Sequence, residues 1–149
     1  MTWWRRVAGL MAASVLVLAS CSSGSSDSVA DVSPGDCFDD PTANGELIEE
    51  IETLPVVDCD EPHDNEAYAV FDVEDGAFPG NDALYEEGLD GCLPLFEGYV
   101  GSSYETSRLE IFPITPVAEV WAGGDRRIIC ALFDIDLAKL TGSMRDSGE

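Results

Sequence analysis

The stretch Arg127-Ile-Ile-Cys-Ala-Leu-Phe133 has the strongest strand pattern in the chain and decides the fold class. Apolar residues fill successive positions of this stretch, so a strand here is predicted to bury both of its faces. Three further strands are predicted, at Leu54–Asp58, Glu66–Val73 and Ser107–Phe112. Pro113 and Pro116 are expected to end the last of these strands, because proline cannot donate a hydrogen bond to a sheet.

The predicted strand Glu66–Val73 also carries apolar residues on both faces. Simple alternation places four of them on one face, namely Ala67, Ala69, Phe71 and Val73. The same alternation places Tyr68 and Val70 on the opposite face, so this strand is predicted to lie inside the sheet rather than at its edge.

One main helix is predicted from Asn81 onward, where the hydrophobic period changes to that of a helix. Its expected packing face consists of Tyr85, Leu89, Cys92, Phe96 and Tyr99. Asn81 or Asp82 is expected to cap its N-terminus. Gly88 and Gly91 weaken the helix, and Pro94 is expected to kink it or to make it restart after a break. A second, short helix is predicted at residues 117–122 and carries Trp121.

The cysteines indicate an oxidised, exported protein. Besides Cys21 the chain has an even number of them, Cys37, Cys59, Cys92 and Cys130. Four cysteines allow three pairings, and Cys37–Cys59 with Cys92–Cys130 is favoured because each pair lies within one half of the domain. A zinc site is the weaker interpretation, since no Cys-x-x-Cys pair occurs and the chain has one histidine. No metal or other cofactor is therefore expected.

These patterns together predict an α+β fold. The expected architecture is a small single domain with a mostly antiparallel sheet, one main helix kinked or interrupted at Pro94, and two disulfides. A chain of 149 residues has room for one such domain and an export segment.

The N-terminus has the organisation of a bacterial lipoprotein signal peptide. Arg5 and Arg6 precede an apolar stretch of about 12 residues, which is too short to span a bilayer and typical of a signal peptide. The sequence Leu18-Ala-Ser-Cys21 follows and resembles a lipobox, in which the cysteine receives the lipid. Residues 1–20 are therefore predicted to be removed, and Cys21 is predicted to anchor the protein at the extracytoplasmic face of the cell membrane through acyl chains such as palmitate.

Two polar segments are expected to flank the domain. Residues 21–34 are predicted to be the lipidated cysteine and a flexible tether rich in serine and glycine. The domain is predicted to span residues 35–143, and residues 144–149 are expected to form a polar tail, frayed from about Thr141 onward.

The charge of the chain excludes some partners. The net charge is −23, and removal of Arg5 and Arg6 with the signal peptide would make it −25. Such a surface repels phosphate backbones and anionic lipid headgroups, so nucleic acid is not an expected partner. Contact with the bilayer is expected through the acyl anchor alone.

Several motifs resemble those of the actinobacterial septum-formation domain family. They are Gly35-Asp-Cys-Phe38, Val56-Val-Asp-Cys-Asp-Glu-Pro-His-Asp-Asn-Glu66, Cys92 with Phe96, Tyr99, Val100 and Gly101, Pro116 with Trp121, Gly124-Asp-Arg126 with Cys130, and Leu140–Ser143. The resemblance covers residues 35–143, and Cys-x-x-Pro-His-x-x-Glu is its most specific part. Pro94 and the acidic segment 46–52 depart from the family pattern. The resemblance implies a link to cell division and no particular chemistry.

His63 and Glu66 are the candidate binding residues of this motif. Three positions apart, they could share one face of a turn and offer two metal ligands or an acid–base pair. The alternative, which the sequence favours, is a structural histidine that satisfies backbone groups after Cys59 and pairs with a nearby carboxylate. Trp121 is a further candidate binding residue, although a packing role is favoured for it as well.

The expected function is that of a non-catalytic binding module of the cell envelope. No catalytic residues are identified, because neither a nucleophile elbow nor a phosphate-binding loop occurs. The expected partner is an envelope protein or a wall component. The alternative is an envelope hydrolase or metal-dependent enzyme that uses His63 and nearby carboxylates.

Overall fold

The computed structural model describes residues 25–40 and 53–149. The predicted signal peptide 1–20 and the predicted lipidation site Cys21 lie outside these residues, so both stay predictions. Within the described ranges, no helix combines the length and the apolar character that a membrane crossing requires.

An antiparallel sheet of six strands forms the centre of the described part of the chain. Its strands are β1 (Ser25–Ser28), β2 (Cys37–Phe38), β3 (Thr53–Val57), β4 (Asn65–Asp72), β5 (Leu109–Ile114) and β6 (Arg127–Asp134). Their order across the sheet is β1-β3-β2-β4-β6-β5, and every neighbouring pair is antiparallel. The predicted strands at 54–58, 66–73 and 127–133 are each found within one residue of the observed bounds.

In the described ranges, two α-helices accompany the sheet. Helix α1 spans Asn81–Val100 and helix α2 spans Ala118–Ala122. Single turns of 3-10 helix lie at Val29–Asp31 and Tyr104–Thr106. The predicted α+β class is confirmed, with a mostly antiparallel sheet, one main helix and two disulfides.

Strand β6 is buried on both faces, as its sequence predicts. Ile128, Cys130 and Leu132 belong to the cluster on the α1 side of the sheet, which also contains Cys92, Phe96, Tyr99 and Val100. Ile129 and Ala131 belong to the cluster on the other side, together with Val32, Phe38, Leu54, Ala67 and Ile114. The Cys92–Cys130 disulfide joins α1 to β6 inside the first cluster, with a Cα–Cα distance of 5.5 Å.

Strand β4 does not alternate as predicted, because it contains a β-bulge. Ala67 pairs with Ala131 and Ala69 pairs with Cys130, so Tyr68 is the extra residue. The bulge shifts the alternation, because an extra residue reverses the faces that follow it. Tyr68 and Phe71 therefore pack on the α1 side, and Ala67 packs on the opposite side, contrary to the face assignment expected from sequence.

Helix α1 differs from the prediction at its start and at Pro94. Its N-cap is Gly80, with φ 102°, and no side chain caps the first turn, so neither Asn81 nor Asp82 has the expected role. The helix runs through Pro94 without a break. Pro94 lies on the exposed side, where water can solvate the carbonyl that the missing N–H leaves free.

The packing face of α1 is also rotated from the predicted one. Leu84 is fully buried, whereas Tyr85 is 38% exposed. Gly88 faces Pro113, and a Cβ on Gly88 would lie 2.7 Å from Pro113 Cβ. The glycines that weaken the helix locally therefore allow it to lie close against the sheet.

Strand β5 continues through Pro113 to Ile114, past the predicted end at Phe112. It lies at the edge of the sheet and pairs only with β6. An edge strand tolerates proline because one side of its backbone needs no partner in the sheet.

Both flanking segments are more ordered than expected. Residues 25–28 of the predicted tether form β1 and pair with β3, and Val32 is fully buried. At the other end, the Asp146 N–H donates to Tyr99 O at 2.8 Å and the Gly148 N–H donates to Val100 O at 2.8 Å. Met144 is buried as well, so the C-terminal segment packs on the end of α1 instead of fraying.

Candidate functional site

Three side chains of types that can bind metal ions lie close together inside the domain at the start of β4. Cys37 begins β2 and lies directly opposite Glu66 of β4 in the antiparallel register. His63 precedes β4 and is fixed by two backbone hydrogen bonds with Leu140, of 3.0 and 2.8 Å. One ligand atom from each of the three side chains lies within 4.8 Å of the other two. We call Cys37, His63 and Glu66 the buried cluster, because all three residues are fully buried.

The imidazole of His63 has one engaged nitrogen and one free nitrogen. Nδ1 lies 2.8 Å from the carbonyl oxygen of Glu61. Because a carbonyl only accepts hydrogen bonds, Nδ1 carries the proton and donates it. Nε2 is buried, and none of the described residues forms a hydrogen bond with it. The expected backbone contact of His63 is therefore present, but the expected hydrogen bond between its ring and a carboxylate is not, because the free lone pair on Nε2 meets no partner among the described residues.

The carboxylate of Glu66 accepts three hydrogen bonds from within the protein. Oε1 accepts from the Tyr99 hydroxyl at 2.5 Å and from the Ser143 hydroxyl at 2.6 Å, and Oε2 accepts from the Met144 N–H at 2.6 Å. These donors compensate for burying the carboxylate without a cationic partner. Burial, followed by the hydrogen bond to Glu66, raises the pKa of Tyr99 to about 12.

A disulfide links the buried cluster to the turn after β3. Cys37 pairs with Cys59 at a Cα–Cα distance of 5.2 Å. Cys37 is fully buried and Cys59 is half-buried, so Cys59 is the more accessible residue of the pair. Both disulfides thus have the pairing that the sequence favoured.

A small ion-pair network covers the turn beside His63. Lys139 Nζ lies 2.7 Å from Asp39 Oδ1 and 2.9 Å from Asp64 Oδ2. Partial burial raises the pKa of Asp64, but the Asp40 N–H and Lys139 outweigh it, so the pKa lies below its ordinary value. The network ties the segment before β4 to the segment before Leu140.

Trp121 is placed away from any free surface. It is buried, and its indole N–H donates to the carbonyl oxygen of Gly76 at 3.0 Å. The Arg126 guanidinium lies 3.8 Å from the centre of its ring, and the same guanidinium pairs with Asp75. These contacts give Trp121 a packing role and leave its ring unavailable to a partner.

Part of the surface between α1 and β5 is apolar. The ring of Tyr85 lies 6.4 Å from that of Phe112, and both are more than a third exposed. Leu93 and Leu95 are exposed further along α1. The sequence does not indicate this surface, because helical spacing predicts Tyr85 on the packing face of α1 and places Phe112 at the end of a strand.

An open groove between the start of β6 and the end of β4 is lined by both acidic and basic side chains. Its lining includes Asp72, Asp75, Asp125, Arg126 and Arg127. The two arginines are already used inside the protein, since Arg126 binds Asp75 and Arg127 donates to the carbonyls of Ala30 and Val32. No residue of the buried cluster lines this groove.

Comparison with known proteins adds one match. A family model described as septum formation matches residues 34–147. The matched range contains the buried cluster, both disulfides and the donors to Glu66. No curated protein and no solved structure matches the chain.

Proposed function

Because the chain belongs to the septum-formation family, we propose that it is a non-catalytic binding module of the cell envelope that serves septum formation. It is held at the extracytoplasmic face of the membrane by lipid on Cys21, and it binds another exported protein or a wall component. No nucleic acid is involved, since the chain carries 30 acidic residues against 7 basic ones.

The burial of Glu66 and its three internal hydrogen bonds are the observation that supports a non-catalytic role. An acid–base pair must reach the reacting groups of a substrate within hydrogen-bond distance. Glu66 and His63 are fully buried, and three internal donors occupy the Glu66 carboxylate. This pair therefore joins β4 to α1 and to the C-terminal segment, which supports a structural role in a binding domain.

The exposed rings of Tyr85 and Phe112 are the proposed contact surface. A binding surface needs apolar area that is free in the isolated domain, and aromatic side chains contribute much of that area in protein interfaces. Both rings are partly exposed and lie side by side on rigid elements, one on α1 and one on β5.

Complementation in cells that lack the protein tests the proposal. Phe112→Ser is expected to fold with nearly unchanged stability and to lose most of its activity in the cell. Val120→Ser is the matched control, because Val120 is also an exposed apolar residue, at 37% exposure, but lies on α2. It should complement normally.

The hydrolase alternative predicts a different pattern. His63→Ala and Glu66→Ala should then fold normally and fail to complement, while Phe112→Ser complements. Under the binding proposal, the loss of activity in these two variants should follow their loss of thermal stability. Well-folded His63→Ala and Glu66→Ala variants that both fail, together with an active Phe112→Ser variant, would overturn the proposal.

A further inference from the structure

The two cysteines of the Cys37–Cys59 disulfide differ in burial. Cys59 is half-buried in the turn after β3, whereas Cys37 is fully buried against His63 and Glu66. A thiol reductant attacks the sulfur that it can reach and expels the other one. Attack on Cys59 would therefore release the Cys37 sulfur inside the buried cluster. The Cys92–Cys130 disulfide differs, because both of its cysteines are fully buried in the core.

The imidazole of His63 is arranged as metal-binding histidines usually are. A ligating histidine donates its other ring N–H to a backbone carbonyl or a carboxylate, which fixes the ring and its tautomer. His63 does this through Nδ1 and the carbonyl of Glu61. Its remaining nitrogen, Nε2, is buried without a partner among the described residues, although an unsatisfied buried polar atom is normally costly.

Glu66 has one acceptor position left for a metal ion. A carboxylate offers about four lone-pair sites, and Tyr99, Ser143 and Met144 occupy three of them. These donors would orient the carboxylate from outside, as the outer partners of metal ligands do.

The spacing of the cluster is close to that of a coordination sphere. Bonds of about 2.0–2.3 Å from a tetrahedral zinc ion place its ligand atoms roughly 3.3–3.8 Å apart. The ligand atoms of Cys37, His63 and Glu66 already lie within 4.8 Å of one another. Contraction by about 1 Å would thus complete three of the four positions, and Cys59 is adjacent as the fourth.

We propose that reduction of the Cys37–Cys59 disulfide converts the buried cluster into a zinc site with Cys37, Cys59, His63 and Glu66 as ligands. Thiolate, imidazole and carboxylate are the ligand types that zinc prefers. The reductant is an external dithiol, which gives up two electrons and two protons and becomes a disulfide, while Cys37 and Cys59 become thiols. Binding of Zn²⁺ then displaces the two thiol protons. The metal replaces the covalent cross-link between β2 and the turn after β3.

Cobalt binding to the exported protein, purified in detergent, tests this site. The protein is reduced with a dithiol, freed of reductant without air and titrated with Co²⁺, whose thiolate charge-transfer absorption reports sulfur ligands. The expected result is one Co²⁺ per reduced chain, displaced by Zn²⁺, and none bound to the oxidised chain. Alkylation and mass measurement should show the Cys92–Cys130 disulfide intact.

Two variants decide whether the proposed ligands hold the metal. His63→Ala should weaken Co²⁺ binding by more than the roughly 10–100-fold that loss of an outer partner causes. Asp60→Asn is the matched control, because Asp60 is an exposed acid of the same turn, and its affinity should not change. The proposal is overturned if the reduced chain unfolds, binds no Co²⁺, shows no thiolate absorption, or binds Co²⁺ equally well with His63→Ala. These outcomes do not bear on the Phe112 surface, which complementation tests separately.

Discussion

The hydroxyl of Tyr99 donates a 2.5 Å hydrogen bond to the carboxylate of Glu66, across 33 residues of sequence. Tyr99 lies in the last turn of α1 and Glu66 lies in β4. The same carboxylate holds Ser143 and Met144 of the C-terminal segment. One buried acid thus fixes the helix and the C-terminal segment to the sheet.

Loss of the Glu66 carboxylate should strongly destabilise the domain. Glu66→Ala leaves two buried donors, the Tyr99 hydroxyl and the Met144 N–H, without their acceptor, and unsatisfied buried donors cost about 1–3 kcal/mol each. The exposed Ser143 hydroxyl can bind water instead. We expect the free energy of unfolding in chemical denaturation to fall by about 3–5 kcal/mol. Glu61→Ala is the control, since the exposed Glu61 side chain should contribute within about 0.5 kcal/mol. Equal stability of the two variants would contradict the role assigned to Glu66.

The raised pKa of Tyr99 should also make the free energy of unfolding depend on pH in the alkaline range. The pKa of Tyr99 is about 12 in the folded protein, because burial and then Glu66 disfavour the phenolate, against about 10 when unfolded. Between these values the folded chain holds a proton that the unfolded chain has lost, so stability falls as pH rises. The contribution is fully present below about pH 10 and amounts to roughly 3 kcal/mol at most.

Tyr99→Phe should remove this part of the pH dependence. The free energy of unfolding of the variant, measured from neutral pH to about pH 12, should fall less steeply than that of the natural protein. Parallel curves for the two proteins would show that ionisation of Tyr99 is not coupled to unfolding.

Local patterns in the sequence are sufficient to predict most of the strands and helices. The apolar run of β6 predicts a strand that is buried on both faces, and it lies between β4 and β5 with its residues in both clusters. The bulge at Tyr68 was not predictable, because it arises from pairing with β6 and not from alternation within β4. The continuous helix at Pro94 is not predictable for a similar reason, since tertiary packing and the Cys92–Cys130 disulfide hold the helix against its local preference.

The candidate site was predictable only where its residues are neighbours in sequence. Cys59, His63 and Glu66 stand in one short motif, and the structure brings His63 and Glu66 together with Cys37, the partner of Cys59. The donors to Glu66 come from positions 33, 77 and 78 residues away. No periodicity connects such distant positions, so a single sequence does not show that Tyr99 and Ser143 donate hydrogen bonds to Glu66.

The lipid anchor remains a sequence prediction with a direct test. Cys21→Ala should abolish labelling of the protein with fatty acid and release the domain from membranes or leave the precursor uncleaved, because no thiol remains to receive the lipid. Ser20→Ala is the matched control, since it keeps a small residue beside the cysteine and should be labelled normally. Unchanged labelling of Cys21→Ala would remove the lipoprotein assignment.

Both disulfides should contribute measurably to stability. Peptide mapping without reduction is expected to link Cys37 with Cys59 and Cys92 with Cys130, which close loops of 22 and 38 residues. The chain-entropy relation gives about 3–4 kcal/mol for each, with the longer loop contributing slightly more. Double alanine variants of each pair, compared by chemical denaturation, measure the two contributions. A crossed linkage in the peptide map would contradict the structure.

Two glycines of α1 should respond in opposite directions to the same substitution. Gly88→Ala adds a Cβ 2.7 Å from Pro113 Cβ, and the rigid proline ring on β5 cannot rotate away. Overpacking of this kind costs about 1–3 kcal/mol, which exceeds the gain of up to about 1 kcal/mol from better helix propensity. Gly98→Ala has no atom within 4 Å of the new Cβ and lies on the exposed side of the helix, so only the gain remains. Thermal unfolding should therefore show a lower midpoint for Gly88→Ala and a slightly higher one for Gly98→Ala. Equal stabilisation of both variants would mean that α1 does not lie as close to β5 at Gly88 as the structure places it.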